Sequence, residues 1–212
     1  MNTDDAFRLV LGASRKGAPP DRKKFNRTMR QPGGGGSRTP EVMVKITSFG
    51  CDSSETAAHM KYVSRNGKVQ MYDTFNNEID KEDAIKEMQE TIDEQEYRGH
   101  GRTTRRTCHF ILSMPVGTDK EGFRNATEDF LHEEFGDNHD HYHAFHNDSK
   151  GGSYHAHVIV TMEGKDFTRL DPNKHDISRW RTTFADKLID HGNAARATTS
   201  LSRGECSKNE PK

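Results

Sequence analysis

The sequence predicts an α+β domain, a mainly antiparallel sheet of five strands covered by helices. Short runs alternate apolar and polar residues with the two-residue period of a strand. Between them lie segments with apolar residues at helical spacing behind capping residues. Two of the strand-like runs are joined by a short connection containing Gly151-Gly152, which reads as a hairpin.

Residues 1–40 hold nine Lys/Arg against three Asp/Glu, show no periodicity and contain Pro32-Gly33-Gly34-Gly35-Gly36-Ser37, which predicts a basic flexible arm. Val42, Val44 and Ile46 then alternate with Met43, Lys45 and Thr47 as the first strand. The domain is placed at 41–204, with a flexible end at 205–212. Asp52 offers an N-cap to a short helix through Met60 and Val63 that stops near Asn66-Gly67. Tyr62 falls in its last turn between Lys61 and Arg65, where the pattern alone predicts a core or interface aromatic. Lys68 to Tyr72 reads as a brief strand.

Asp80 caps a helix whose apolar stripe is Ile85, Met88 and Ile92, and residues 73–96 carry ten Asp/Glu against two Lys/Arg, so its outer face is acidic. The basic Gly99–Arg106 loop leads into a strand from Thr107 to Ser113 that Pro115 ends. Asp119 opens a longer helix with Phe123, Ala126, Phe130 and Leu131 inward and Gly136 as its stop. Past the hairpin, Asp176 begins a last helix whose Ile177, Trp180, Phe184 and Leu188 recur until Gly192, and Trp180 reads as core. One sheet face then meets helices, and the face carrying the hairpin histidines is left for ligand.

That hairpin holds the chemistry. From Tyr154 to Met162 the alternation puts Tyr154, Ala156, Val158 and Val160 on one side and His155, His157, Ile159 and Thr161 on the other. The preceding strand, Tyr142 to Asn147, folds back and brings His146 to the same pair. Three imidazoles from two rigid strands make a metal site with coordination positions open to a water or a substrate oxygen. Asp148 lies just beyond, placed to orient a ligating histidine. His139, His141 and His143 are read as a solvated loop and strand edge.

Charged residues make up 31% of the 212-residue chain against 30% hydrophobic, enough for one compact core plus tails. Cys51, Cys108 and Cys206 lie far apart without zinc spacing, and there is no signal peptide or long apolar run. A reduced, cytosolic, soluble protein is expected, without membrane insertion. The net charge of −1 hides a partition, because outside the basic arm and the acidic helix the chain is slightly basic. Arg105, Arg106 and Arg181 are among the arginines available there to a polyanion.

Three segments together resemble the P-type mobilisation class of relaxases, which includes the relaxase that nicks T-DNA borders. Pro40-Glu41-Val42-Met43-Val44-Lys45-Ile46 with Tyr62-Val63-Ser64-Arg65-Asn66-Gly67-Lys68 resembles the first motif, whose tyrosine is the nucleophile. His109-Phe110-Ile111-Leu112-Ser113-Met114-Pro115 resembles the second, whose serine contacts DNA near the cut. Phe145-His146-Asn147-Asp148 with His155-Ala156-His157-Val158 resembles the third, the metal-binding histidines. The connection from Asp148 to His155 is a couple of residues longer than in the border-nicking member.

The resemblance implies the histidine-hydrophobic-histidine (HUH) endonuclease fold, with the tyrosine N-terminal to the histidines. It implies strand nicking at an origin of transfer, with a 5′-phosphotyrosyl intermediate and later rejoining, to begin conjugative transfer. In these terms the catalytic residues are Tyr62, Ser113 and Asp148, the metal ligands His146, His155 and His157, and the DNA contacts Lys61, Arg65, Lys68, Arg105, Arg106 and Arg181. The phosphate chemistry favours Mn2+ or Mg2+, whereas three imidazoles also suit Zn2+ or Ni2+. The implied partners are single-stranded origin DNA, relaxosome accessory proteins and a type IV secretion coupling protein. The implied setting is the bacterial cytoplasm, and the chain is expected to be the catalytic part of a longer protein.

Rolling-circle replication initiators and single-strand transposases place the tyrosine after the histidines, and here no tyrosine follows Tyr154. A cupin-type metalloenzyme requires a barrel of many short strands, which three long helical patterns oppose. A non-catalytic DNA-binding module would leave Tyr62 buried and dispensable.

Overall fold

The computed structural model describes residues 39–97, 104–114, 117–147 and 154–197. The elements run β1 (Met43–Gly50), α1 (Ser53–Val63), β2 (Met71–Tyr72), β3 (Glu78–Ile79), α2 (Lys81–Tyr97), β4 (Thr107–Ser113), α3 (Lys120–Glu134), β5 (His141–His146), β6 (His155–Thr161) and α4 (Lys174–Asp190). The strands form one sheet in the order β1-β4-β6-β5-β2-β3, and every neighbouring pair is antiparallel. The expected five strands are therefore six. The addition, β3, has two residues, too few to show a period, and it is folded onto β2 by a turn in which the Asp73 carboxylate accepts from the amides of Phe75 and Asn77 at 2.8 Å.

Capping chemistry sets most helix starts. Asp52 accepts from the Glu55 amide and Asp119 from the Gly122 amide, both at 2.7 Å. The last helix begins before the expected Asp176. Asn173 is its N-cap, and Asp176 closes a capping box by accepting from the Asn173 amide.

On one face of the sheet, Val44, Cys108, Phe110, Leu112, Val158 and Val160 pack under α3 and α4 with Phe123, Phe130, Trp180 and Phe184. Trp180 is fully buried, as its spacing predicts. The opposite face is covered as well. Met60 and Val63 of α1 and Ile85, Met88 and Ile92 of α2 pack on Tyr142, Ala144 and Ile159, and the Tyr142 hydroxyl donates to Glu87 at 2.7 Å. The expectation of a bare histidine face is thus corrected: an apolar patch on β5 and β6 draws two helices onto it, and only the end of the hairpin stays open.

His139, His141 and His143 are buried rather than solvated. β5 is not an edge, because β2 pairs beyond it. His141 and His143 alternate onto the same face as Phe145, away from His146. His143 is fully buried, stacked on Tyr72 with ring centres 5.4 Å apart and edge-on to Phe145 at 5.2 Å, and neither of its nitrogens has a hydrogen-bond partner among the described residues. Burial pushes its pKa down to about 3, so it is a neutral core side chain.

Candidate active site

Antiparallel register brings the three histidines together. His146 lies opposite His155 and Ala144 opposite His157, so the even-numbered positions of β5 share a face with the odd-numbered positions of β6. Ring centres are 4.6 Å apart for His146 and His157, 5.2 Å for His155 and His157, and 5.3 Å for His146 and His155. One nitrogen of each lies within 4.8 Å of the others. Burial, with the neighbouring imidazoles adding to it, pushes His157 down to about 3 and lowers His146 from its ordinary value. At neutral pH these two present lone pairs rather than charge. The donor set fits a divalent cation held by three nitrogens with open positions for substrate oxygen.

Helix α1 carries the second half of the site. His146 Nε2 lies 2.8 Å from the Val63 carbonyl oxygen, and since a carbonyl only accepts, that nitrogen carries the proton. The bond ties β5 to the last turn of α1, where Tyr62 stands 69% exposed. Of the core and interface placements expected for this aromatic, the core one is overturned, because Met60 and Val63 take the inward positions of that turn. The Tyr62 ring meets His157 edge-on, with ring centres 6.3 Å apart.

Past α1 the backbone turns through left-handed conformations at Arg65 (φ 50°), Asn66 (φ 56°) and Gly67 (φ 85°). This run directs Arg65 and Lys68 into a cleft of about 800 Å³ lined also by Lys61, Tyr62, Asn66 and the three histidines. Three cations, a phenol and a cluster of imidazoles thus share one open cavity.

A family model described as the relaxase, MobA/VirD2-like, nuclease domain matches residues 50–192. The chain belongs to the relaxase family. No curated protein matches it. As a relaxase nuclease domain it has a nickase role on DNA and binds single strands, and the cleft has the charge to receive a phosphate backbone. Among the described residues no helix is long and apolar enough to cross a membrane.

Not every residue expected at the site is there. Ser113 pairs directly with His155 across β4 and β6 and is mostly buried at the rim of the histidine face. Asp148 and the glycines of the hairpin connection lie outside the described residues, as do Pro115 and residues 1–38. Arg106 lies inside rather than on the surface: its backbone bonds to Gly50 and Met162 draw it between neighbouring segments, and the residue is 1% exposed. Arg105 stacks on Phe49 with its guanidinium 4.1 Å from the ring centre and is not among the residues lining the relaxase cleft. Arg181 belongs to α4, on the opposite layer, and donates to the Val44 carbonyl at 3.3 Å.

Two residues were missed. His59, one turn before Tyr62 on α1, lies flat on His109 of β4, with ring centres 3.9 Å apart and planes 10° from parallel. His59 is recognisable as the i−3 neighbour of Tyr62, and His109 as a histidine alternating with Ile111 and Ser113 on the site face. Nothing in either local pattern pairs them.

Proposed function

We propose that this relaxase domain nicks one DNA strand at an origin of transfer by transesterification, with Tyr62 as nucleophile, to begin conjugative transfer. The observation that carries the reading is the position of Tyr62, exposed at the mouth of a cationic cleft and edge-on to His157. The Tyr62 oxygen forms a bond to phosphorus while the bond from phosphorus to the 3′ oxygen breaks, leaving a 5′-phosphotyrosyl strand and a free 3′ hydroxyl. The phosphotyrosine link is again a phosphodiester, so attack by a 3′ hydroxyl restores Tyr62 and rejoins the strand.

His146, His155 and His157 would hold the cation, Mn2+ or Mg2+ by phosphate chemistry and Zn2+ or Ni2+ by ligand type. When bound it supplies positive charge to a non-bridging phosphate oxygen. Lys61, Arg65 and Lys68 hold the flanking phosphates. Ser113 is assigned to the DNA near the cut and Asp148 to orienting a histidine ligand. Residues 41–204 are assigned as the catalytic domain, with 1–40 as a basic arm and 205–212 as a tail. By family resemblance the partners are relaxosome accessory proteins and a type IV coupling protein, in the bacterial cytoplasm.

The test incubates the protein and manganese with single-stranded oligonucleotides of randomised centre, then captures denaturation-resistant adducts. Mass spectrometry should place the captured strand on Tyr62, and Tyr62→Phe should yield none. Adducts that persist in Tyr62→Phe would overturn the assignment.

A further inference from the structure

We propose that His59 takes the phenolic proton of Tyr62 during nicking, with His109 as the residue that positions it; this rests on the transesterase reading above. The argument starts beneath His59. His109 is 2% exposed, with Nδ1 2.9 Å from the Ser48 hydroxyl and Nε2 2.8 Å from the Thr107 hydroxyl. The Thr107 hydroxyl in turn lies 3.0 Å from that of Thr56, which donates to the Asp52 carbonyl at 3.0 Å.

A carbonyl only accepts, and this sets every direction in the chain. Thr56 spends its proton on Asp52, so it accepts from Thr107. Thr107 then accepts from His109 Nε2–H, and His109 Nδ1 accepts from Ser48. One neutral tautomer satisfies all the partners. Burial pushes His109 down to about 3, with repulsion from His59 adding to it, so the ring stays neutral at working pH.

Two backbone features make room for this network. A bulge in β1 between Ile46 and Ser48 shifts the register so that Ser48, rather than Thr47, lies opposite His109. At Gly50 a Cβ would come within 2.5 Å of both the Thr107 and the Thr56 hydroxyl oxygens, so only glycine lets the two hydroxyls meet there. The fold thus immobilises a neutral, saturated imidazole whose remaining asset is its flat face, and His59 lies on that face.

Tyr62 stands between two imidazoles. His157 meets it edge-on at 6.3 Å and belongs to the histidine cluster that would hold a cation, which would engage its lone pair. His59 meets it at 6.1 Å with planes 37° apart and lies outside that cluster. The two side chains are one helical turn apart, so transfer would run through a side-chain rotation or a bridging water. Partial burial also lowers the His59 pKa from its ordinary value, which keeps it a base at neutral pH.

In the step, the phenolic proton passes to an imidazole nitrogen of His59 as the bond from Tyr62 oxygen to phosphorus forms. The bond to the 3′ oxygen breaks, and that oxygen takes a proton from solvent. In rejoining, the 3′ hydroxyl loses its proton to solvent and His59 returns its own to the phenolic oxygen. Nucleophile, base and orienting group then form a relay built separately from the metal ligands.

The experiment follows single-turnover adduct formation by manganese-saturated protein on a captured oligonucleotide, from about pH 5 to about pH 9. Wild type should show an acid limb. His59→Gln should remove that limb and slow the step by about 10²–10⁴-fold while manganese and DNA affinity hold. Added imidazole should restore rate to His59→Ala. A pH-independent wild-type rate, an unchanged limb in His59→Gln, or a loss explained by weaker DNA binding would each overturn the proposal. Wild-type protein that forms no Tyr62 adduct at all would overturn the transesterase reading instead.

Discussion

The two faces of the sheet are built from the same strands and do opposite work. Under α3 and α4 the interface is sealed by Phe110, Phe123, Phe130, Phe184 and Trp180, whose rings meet at 5.3–5.7 Å. Under α1 and α2 it is filled by smaller or flexible residues such as Ala57, Met60, Ala84 and Met88, and it stops short of the hairpin end, where the cleft begins. His143 and His146 show the contrast on one strand. The first is enclosed by aromatic rings without a hydrogen bond among the described residues, and the second faces the cleft, tied to the helix of Tyr62 through Val63. Core burial on one side leaves the other free to concentrate polar groups.

The comparison breaks most sharply at Tyr62. Tyr62→Phe should abolish adduct formation yet shift thermal stability by no more than about 0.5 kcal/mol, because the side chain is exposed. On the opposite face Trp180→Ala should cost about 3–5 kcal/mol in a denaturant titration, since it empties the centre of the aromatic layer.

His143 sharpens the contrast through pH. Its folded pKa, about 3, lies below the ordinary value of 6.5, so the unfolded chain binds the proton more readily. Its contribution to stability is intact above about pH 6.5 and declines as pH falls toward the folded value. His143→Leu removes two unbonded buried nitrogens and should change stability at pH 7 by less than about 1 kcal/mol. Melting curves should then show a variant less sensitive to acid than wild type, and equal sensitivity would contradict the burial argument.

The smallest effect concerns charge. Arg65→Ala and Lys68→Ala should each lower the salt slope of single-strand binding by about one. Arg181→Ala, on the opposite layer, should leave it unchanged, as fluorescence anisotropy across a salt series would show.

Much of this architecture was legible in the residues. Alternation located β1, β4 and β6, and caps at Asp52 and Asp119 located α1 and α3. Residue parity along β5 was also sufficient to separate His143 from His146, but a tract of clustered histidines reads as polar before it reads as alternating. The bulge in β1 left no local mark because Thr47 and Ser48 are both small polar residues. Arg106 read as a phosphate contact from its basic neighbours, and only the strands around it reveal that it is inside.

What the sequence by itself determined was the kind of the longer elements, the alternation of side chains along them, and the pairing of His146 with His155 and His157 across a hairpin. Only the tertiary structure decided that α1 lies over β4 and β6, so that Tyr62 meets His157, His59 lies on His109 and Val63 holds His146 from 83 residues away. The physical reason is that periodicity and capping are local. They state which way a residue points from its own backbone, whereas the element it points toward is chosen by apolar burial summed over the whole sheet.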